Sequence, residues 1–80
     1  MYYIVEVEDR HVESVEAFHS IDVATSRFKD LLESHKGENL EISEKEILDS
    51  LELFINGTND DVEIPYVSKY GNECTIALTV

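Results

Sequence analysis

Three histidines and one cysteine are the residues best suited to metal binding or nucleophilic chemistry in this 80-residue chain. His11, His19 and His35 stand 8 and 16 residues apart. No pair has the H-x-x-x-H or C-x-x-C spacing that puts two ligands on one helical face or one turn. Their positions suggest ordinary duties instead: His11 beside a turn, His19 ahead of a helix cap, His35 at a helix C-terminus. Cys74 sits in an alternating apolar run, where a free thiol packs as a small hydrophobe, and no base in the sequence is placed to activate it. The acidic loop NGTNDDVE, residues 56–63, lacks the alternating oxygen ligands and the closing glutamate of a calcium loop. With three glycines in the chain there is no phosphate cradle. The expectation is no catalytic residue, no metal and no cofactor.

What the residues do carry is charge. Eighteen acids oppose six bases, a net charge of −12. Such a field repels nucleic acid and anionic membrane and draws basic partners, so direct binding to DNA or RNA is not expected. The excess is uneven. Residues 1–37 hold eight acids and four bases, residues 38–63 hold nine acids and one base, and residues 64–80 hold one of each. Two-thirds of the net charge therefore lies in one 26-residue segment. A lone cysteine suits a reducing cytoplasm. The opening MYYIVEVEDR has neither the basic start nor the long apolar run of a secretion signal, and no apolar run approaches the ~20 residues of a membrane helix.

The elements that position these charges can be read from periodicity. Residues 2–8, YYIVEVE, alternate as a strand, with Tyr3, Val5 and Val7 on one side and Tyr2, Ile4, Glu6 and Glu8 on the other. Asp9-Arg10 is a turn, and residues 12–18 form a second strand whose uneven pattern suggests a bulge. Ser20 caps a helix over 21–36, with Ile21, Ala24, Phe28, Leu31, Leu32 and His35 along one face and Gly37 just past its end. Ser43 caps a second helix that runs to Asn56-Gly57. Glu46 stands at the third position of a capping box, and Ile42 and Ile47 have the spacing of a hydrophobic staple. Ile47, Leu48, Leu51, Phe54 and Ile55 make its apolar stripe. Residues 62–68 form a third strand, held to an edge or a bulge by Pro65. Tyr70-Gly71-Asn72 turns into a fourth strand over 74–80, with Cys74, Ile76, Leu78 and Val80 on one face. The order ββααββ implies one α+β domain spanning residues 1–80, a four-stranded antiparallel sheet with two helices packed on one face.

On the second helix, Leu53 lies about 200° from Leu51 at ~100° per residue, among acids rather than in the stripe. An apolar contact ringed by charge is an interface pattern. The expected partner-binding surface is therefore Glu44, Glu46, Asp49, Glu52 and Leu53, continued by Asp60, Asp61 and Glu63. Tyr2, Tyr66 and Tyr70 form a second candidate set. In size, charge and layout the chain resembles the small acidic inhibitors that bacteriophages use against host defence nucleases, anti-CRISPR and DNA-mimic anti-restriction proteins among them. That resemblance implies a non-enzymatic inhibitor occupying the basic nucleic-acid groove of a partner protein or nuclease complex in the host cytoplasm. Antitoxin and immunity proteins, which neutralise basic nuclease toxins, offer a competing reading. So does a small homo-oligomeric adaptor, and the chain is expected to be a monomer or a homodimer.

Overall fold

The N- and C-terminal strands lie side by side at the centre of the sheet. In the computed structural model, which describes residues 1–35, 39–40 and 43–80, β1 (Tyr2–Glu8) pairs antiparallel with both β2 (His11–Phe18) and β5 (Glu73–Thr79). β5 in turn pairs with β4 (Asp61–Val67), giving the order β2-β1-β5-β4 for the four long strands. Two helices, α1 (Ile21–Ser34) and α2 (Glu44–Ile55), complete the expected ββααββ order. One element was not anticipated. The two-residue strand β3 (Asn39–Leu40) lies between the helices and pairs with Val67 and Tyr66 at the outer edge of β4. Among the described residues the rest of that edge is open, and Pro65 sits on the open part. This suits a residue with no N–H to give to a ladder.

Register decides which side of each strand is covered. Ile4 opposes Leu78, Val62 opposes Leu78 and Ile64 opposes Ile76, so these side chains share one face. All are buried there with Phe28 of α1 and Leu51 and Phe54 of α2, which puts both helices on the same side of the sheet. α1 lies over β1, β2 and β5, and α2 lies over β4. Tyr2 completes the layer by meeting the Phe54 ring edge-on, centroids 6.1 Å apart. Cys74 is buried in this core as a free thiol. Val80, expected on the same face, is exposed beyond the end of β5.

Local signals account for the element ends. The Ser20 hydroxyl accepts from the Val23 N–H at 3.5 Å, and the Ser43 hydroxyl accepts from the Glu46 N–H at 3.2 Å. Each supplies a partner to an amide that the helix itself leaves unpaired. α1 stops at Ser34 with His35 as its cap, two residues short of the expected end. Lys36, Gly37 and Ile42, which carried the expected helix end and staple, lie outside the described residues. α2 ends in a Schellman motif. Gly57, with φ +79°, donates to the Phe54 carbonyl at 3.1 Å, and Thr58 donates to the Leu53 carbonyl at 2.9 Å. The expected bulge is present: Glu6 opposes Ser14 but Val7 opposes Val12, leaving Glu13 without a partner residue.

Candidate functional site

The acids expected to form one surface fall on three. Glu46, Asp49, Glu52 and Leu53 are all exposed on α2, whose opposite side carries the buried Ile47, Leu51 and Phe54. These four do belong to one outward face, which also bears Lys45, the single base of the segment. Leu53 is 42% exposed, as its angular position requires. Its carbonyl is the acceptor of the Schellman bond from Thr58, so this leucine has a local role at the helix end as well as a surface one.

Glu44 stands apart from that face. It lines a cleft of about 300 Å³ between the helices, together with Lys29, Leu32, Glu33 and Leu48, with Ile47 and Leu51 also contributing to the lining. The same cleft explains a departure from the expected apolar stripe. Leu48 is 52% exposed and Ile55 is also exposed, because α2 packs on β4 and not tightly along α1. A helix resting on one strand buries three stripe positions, not five.

Asp61 and Glu63 are separated from α2 by the sheet itself. They alternate along β4 with the buried Val62 and Ile64, so they project from the side that carries no helix. Asp60 lies just before β4, where its carbonyl accepts from the Val80 N–H at 3.2 Å. The outer face of α2 and the side chains of Asp61 and Glu63 point in opposite directions. The eight residues therefore do not share one face, and Glu46, Asp49, Glu52 and Leu53 are the ones that lie together on the outer side of α2. The alternation of a strand sends every second side chain away from the layer that α2 joins.

The tyrosine set is divided as well. Tyr66 is buried and its ring lies 4.8 Å from that of His35, and Tyr2 is part of the core margin. Tyr70 alone is well exposed, at the tip of the β4–β5 turn with the Lys69 ammonium 5.2 Å from its ring centre. Arg27 of α1 donates to both Glu16 oxygens, at 3.1 Å from its terminal nitrogen, and this hydrogen bond and charge raise the guanidinium above its ordinary range. Glu6 and Glu8 lie on the same sheet face as Ile4. Glu6 accepts from the Ser14 hydroxyl and lies 3.9 Å from His35 Nε2, and Glu8 accepts from the Asn72 amide at 2.8 Å. Among the described residues no group of three His, Cys, Asp or Glu side chains is arranged to hold a metal ion, and no helix is long and apolar enough to cross a membrane.

Sequence reasoning assigned no role to the β2-β1-β5 part of the uncovered sheet face. There Val5 lies between Val15 and Ala77, Tyr3 between Ala17 and Thr79, and Val7 between Val12 and Thr75. These nine paired positions carry no charged side chain, in a chain of which 30% is charged. The signal was present in YYIVEVE. A strand of an antiparallel sheet with one solvated face should alternate apolar with polar, yet Tyr3, Val5 and Val7 are apolar and the glutamates lie on the other side. No protein-family model, curated protein or solved structure matches the chain.

Proposed function

We propose that the protein is a non-enzymatic, stoichiometric inhibitor that uses the outer face of α2 to occupy the basic groove of a nucleic-acid-binding protein or nuclease complex. The observation that carries this reading is the segregation of charge. Nine acids against one base fall in residues 38–63, and Glu46, Asp49 and Glu52 are exposed around Leu53 on one helical face. Successive turns of a helix space carboxylates along a line at about 5.4 Å per turn. A groove lined with Lys and Arg for phosphates meets a comparable row of negative charge there. Leu53 supplies the apolar centre that a desolvated contact needs. On this reading the protein is a DNA mimic of the anti-CRISPR or anti-restriction kind, encoded by a phage and acting in the host cytoplasm.

The test is affinity capture from the native host with the tagged chain, run beside the variant E46K/D49K/E52K. All three positions are exposed, so the variant should keep its fold by circular dichroism. The expected result is a basic nucleic-acid-handling protein, identified by mass spectrometry, retained by the native chain alone and released as salt rises. Its identity distinguishes a defence complex from a toxin. Equal capture by both forms, or capture of none, would remove the helical face from consideration as the binding surface.

A further inference from the structure

The β2-β1-β5 part of the uncovered sheet face is a feature that the helical acids leave unexplained. A two-layer α+β fold has one sheet face packed by helices and one in water, and the wet face is ordinarily polar. Here Val12 is 63% exposed and Val15 56% exposed, with Tyr3 at the margin and Val5 half-buried between its neighbours. Contiguous exposed apolar patches at or above a few hundred Å² are often functional on soluble proteins.

We infer that this face is where two copies of the chain associate, sheet against sheet, in a twofold dimer. Charge selects the occupant. The acids that alternation places on this side are Asp61, Glu63 and Glu73, on β4 or at the end of β5 next to it, and Glu13, the unpaired bulge residue of β2. A basic partner would find no counter-charge among the paired positions of β1 and β2. An identical face meets only uncharged side chains at those positions. A twofold axis running along β1 stacks β2 and β5 of one copy over β5 and β2 of the other. Both β4 strands then overhang at opposite rims, which keeps Asp61 and Glu63 of the two copies apart. Stacked sheets of this kind sit ~10 Å apart with strands aligned to about 30°.

Area sets the strength. Three strands of about seven residues, with ~3.3 Å rise and ~4.8 Å spacing, give on the order of 330 Å² in projection for each copy. Both copies together, with side-chain relief, bury about 1,000 Å² of accessible surface, the lower bound for a specific interface. The dimer is therefore a weak one, and copies carrying −12 each repel. Added salt screens that repulsion and leaves the apolar contact, so self-association strengthens with salt. Capture of a basic partner by α2 has the opposite salt dependence, and the inference does not rest on that function.

Sedimentation equilibrium on the full chain tests it, from dilute solution to about 1 mM, the weak end of specific association, at low and high salt. The expected result is a mass rising with concentration toward twice 9.2 kDa, more steeply at high salt. V12K/V15K should remain monomeric throughout. Its added lysines lower the net charge, so loss of the dimer cannot be assigned to repulsion. L48K, on the helical side, should dimerise as the native chain does. A native chain of monomer mass under every condition would overturn the inference. So would a dimer that survives V12K/V15K, or one lost in L48K.

Discussion

Asp9 and Arg10 both have left-handed backbones, with φ 49° and 68°, in the two-residue turn that joins β1 to β2. A tight hairpin favours this conformation because its twist matches that of the strands, and Asn-Gly is the pair that adopts it without strain. For a residue with a Cβ it costs about 1–2 kcal/mol. The turn is held regardless, because the Asp9 N–H also donates to the Glu73 carbonyl at 2.8 Å and so continues the β1–β5 ladder. Replacing Arg10 by glycine removes the steric cost and adds unfolded-chain entropy, for an expected net gain of about 0.5 kcal/mol. Urea unfolding should show a higher midpoint at unchanged slope. A lower midpoint would mean that Arg10 contributes a contact that outweighs its backbone. Leu53 makes a related point at the same scale. Its exposure follows from its angle on α2, and its carbonyl is tied into the helix end, so a residue singled out for binding is also part of a local stop signal.

At the scale of elements, the two helices are held differently. α1 rests on three strands and buries Ala24, Thr25, Phe28 and Leu31, with the Thr25 hydroxyl donating to the Ile21 carbonyl at 2.8 Å. α2 rests on β4, buries three residues and leaves Leu48 beside an open cleft. A helix with less tertiary support depends more on its own end signals. Loss of the Ser43 cap by Ser43→Ala is therefore expected to cost about 1 kcal/mol, and more than Ser20→Ala, whose hydrogen bond is longer at 3.5 Å against 3.2 Å. Amide hydrogen exchange would check this. Protection in α2 should fall with Ser43→Ala while β1 and β5 keep theirs, and uniform loss across the chain would show that α2 does not open separately.

For the whole molecule, self-repulsion governs the response to salt. Eighteen acids and six bases share a surface of 5259 Å², and an excess of one sign destabilises the compact state. Most of the excess is solvent-exposed and therefore open to screening. Thermal unfolding should accordingly shift upward between low and physiological ionic strength, as the screening distance falls from ~30 Å at about 0.01 M to ~8 Å at about 0.15 M. E46Q/D49N/E52Q, which removes three charges from one helical face, should reduce that salt effect. A melting temperature indifferent to salt in the native chain would mean that specific pairs such as Arg27 with Glu16 offset the net charge. The Arg27 guanidinium of that pair adds no pH dependence in a working range. The guanidinium is raised in the fold, so its contribution is present below the unfolded value and lost only at more alkaline pH than any working range.

The sequence by itself determined the local signals and the order of elements. Ser20, Ser43, Gly57, Gly71 and Pro65 act on backbone atoms within a few residues, through caps, left-handed turns and a missing N–H, so both helices and all four long strands were legible to within two residues at each end. The buried positions of Phe28, Leu51, Ile76 and Leu78 followed from periodicity alone. What only the tertiary structure decided is which side of each element is covered. Alternation in YYIVEVE marks two faces without saying which one meets the helices. The pairing of Ile4 with Leu78, 74 residues away, makes that choice and leaves Val5 and Val7 on the uncovered side. The same rule, acting through Val62 and Ile64, turns Asp61 and Glu63 away from α2 and divides a charge cluster that is continuous along the chain. Charge density is a property of sequence. A binding surface depends on which residues face the same way, and that is settled by long-range register.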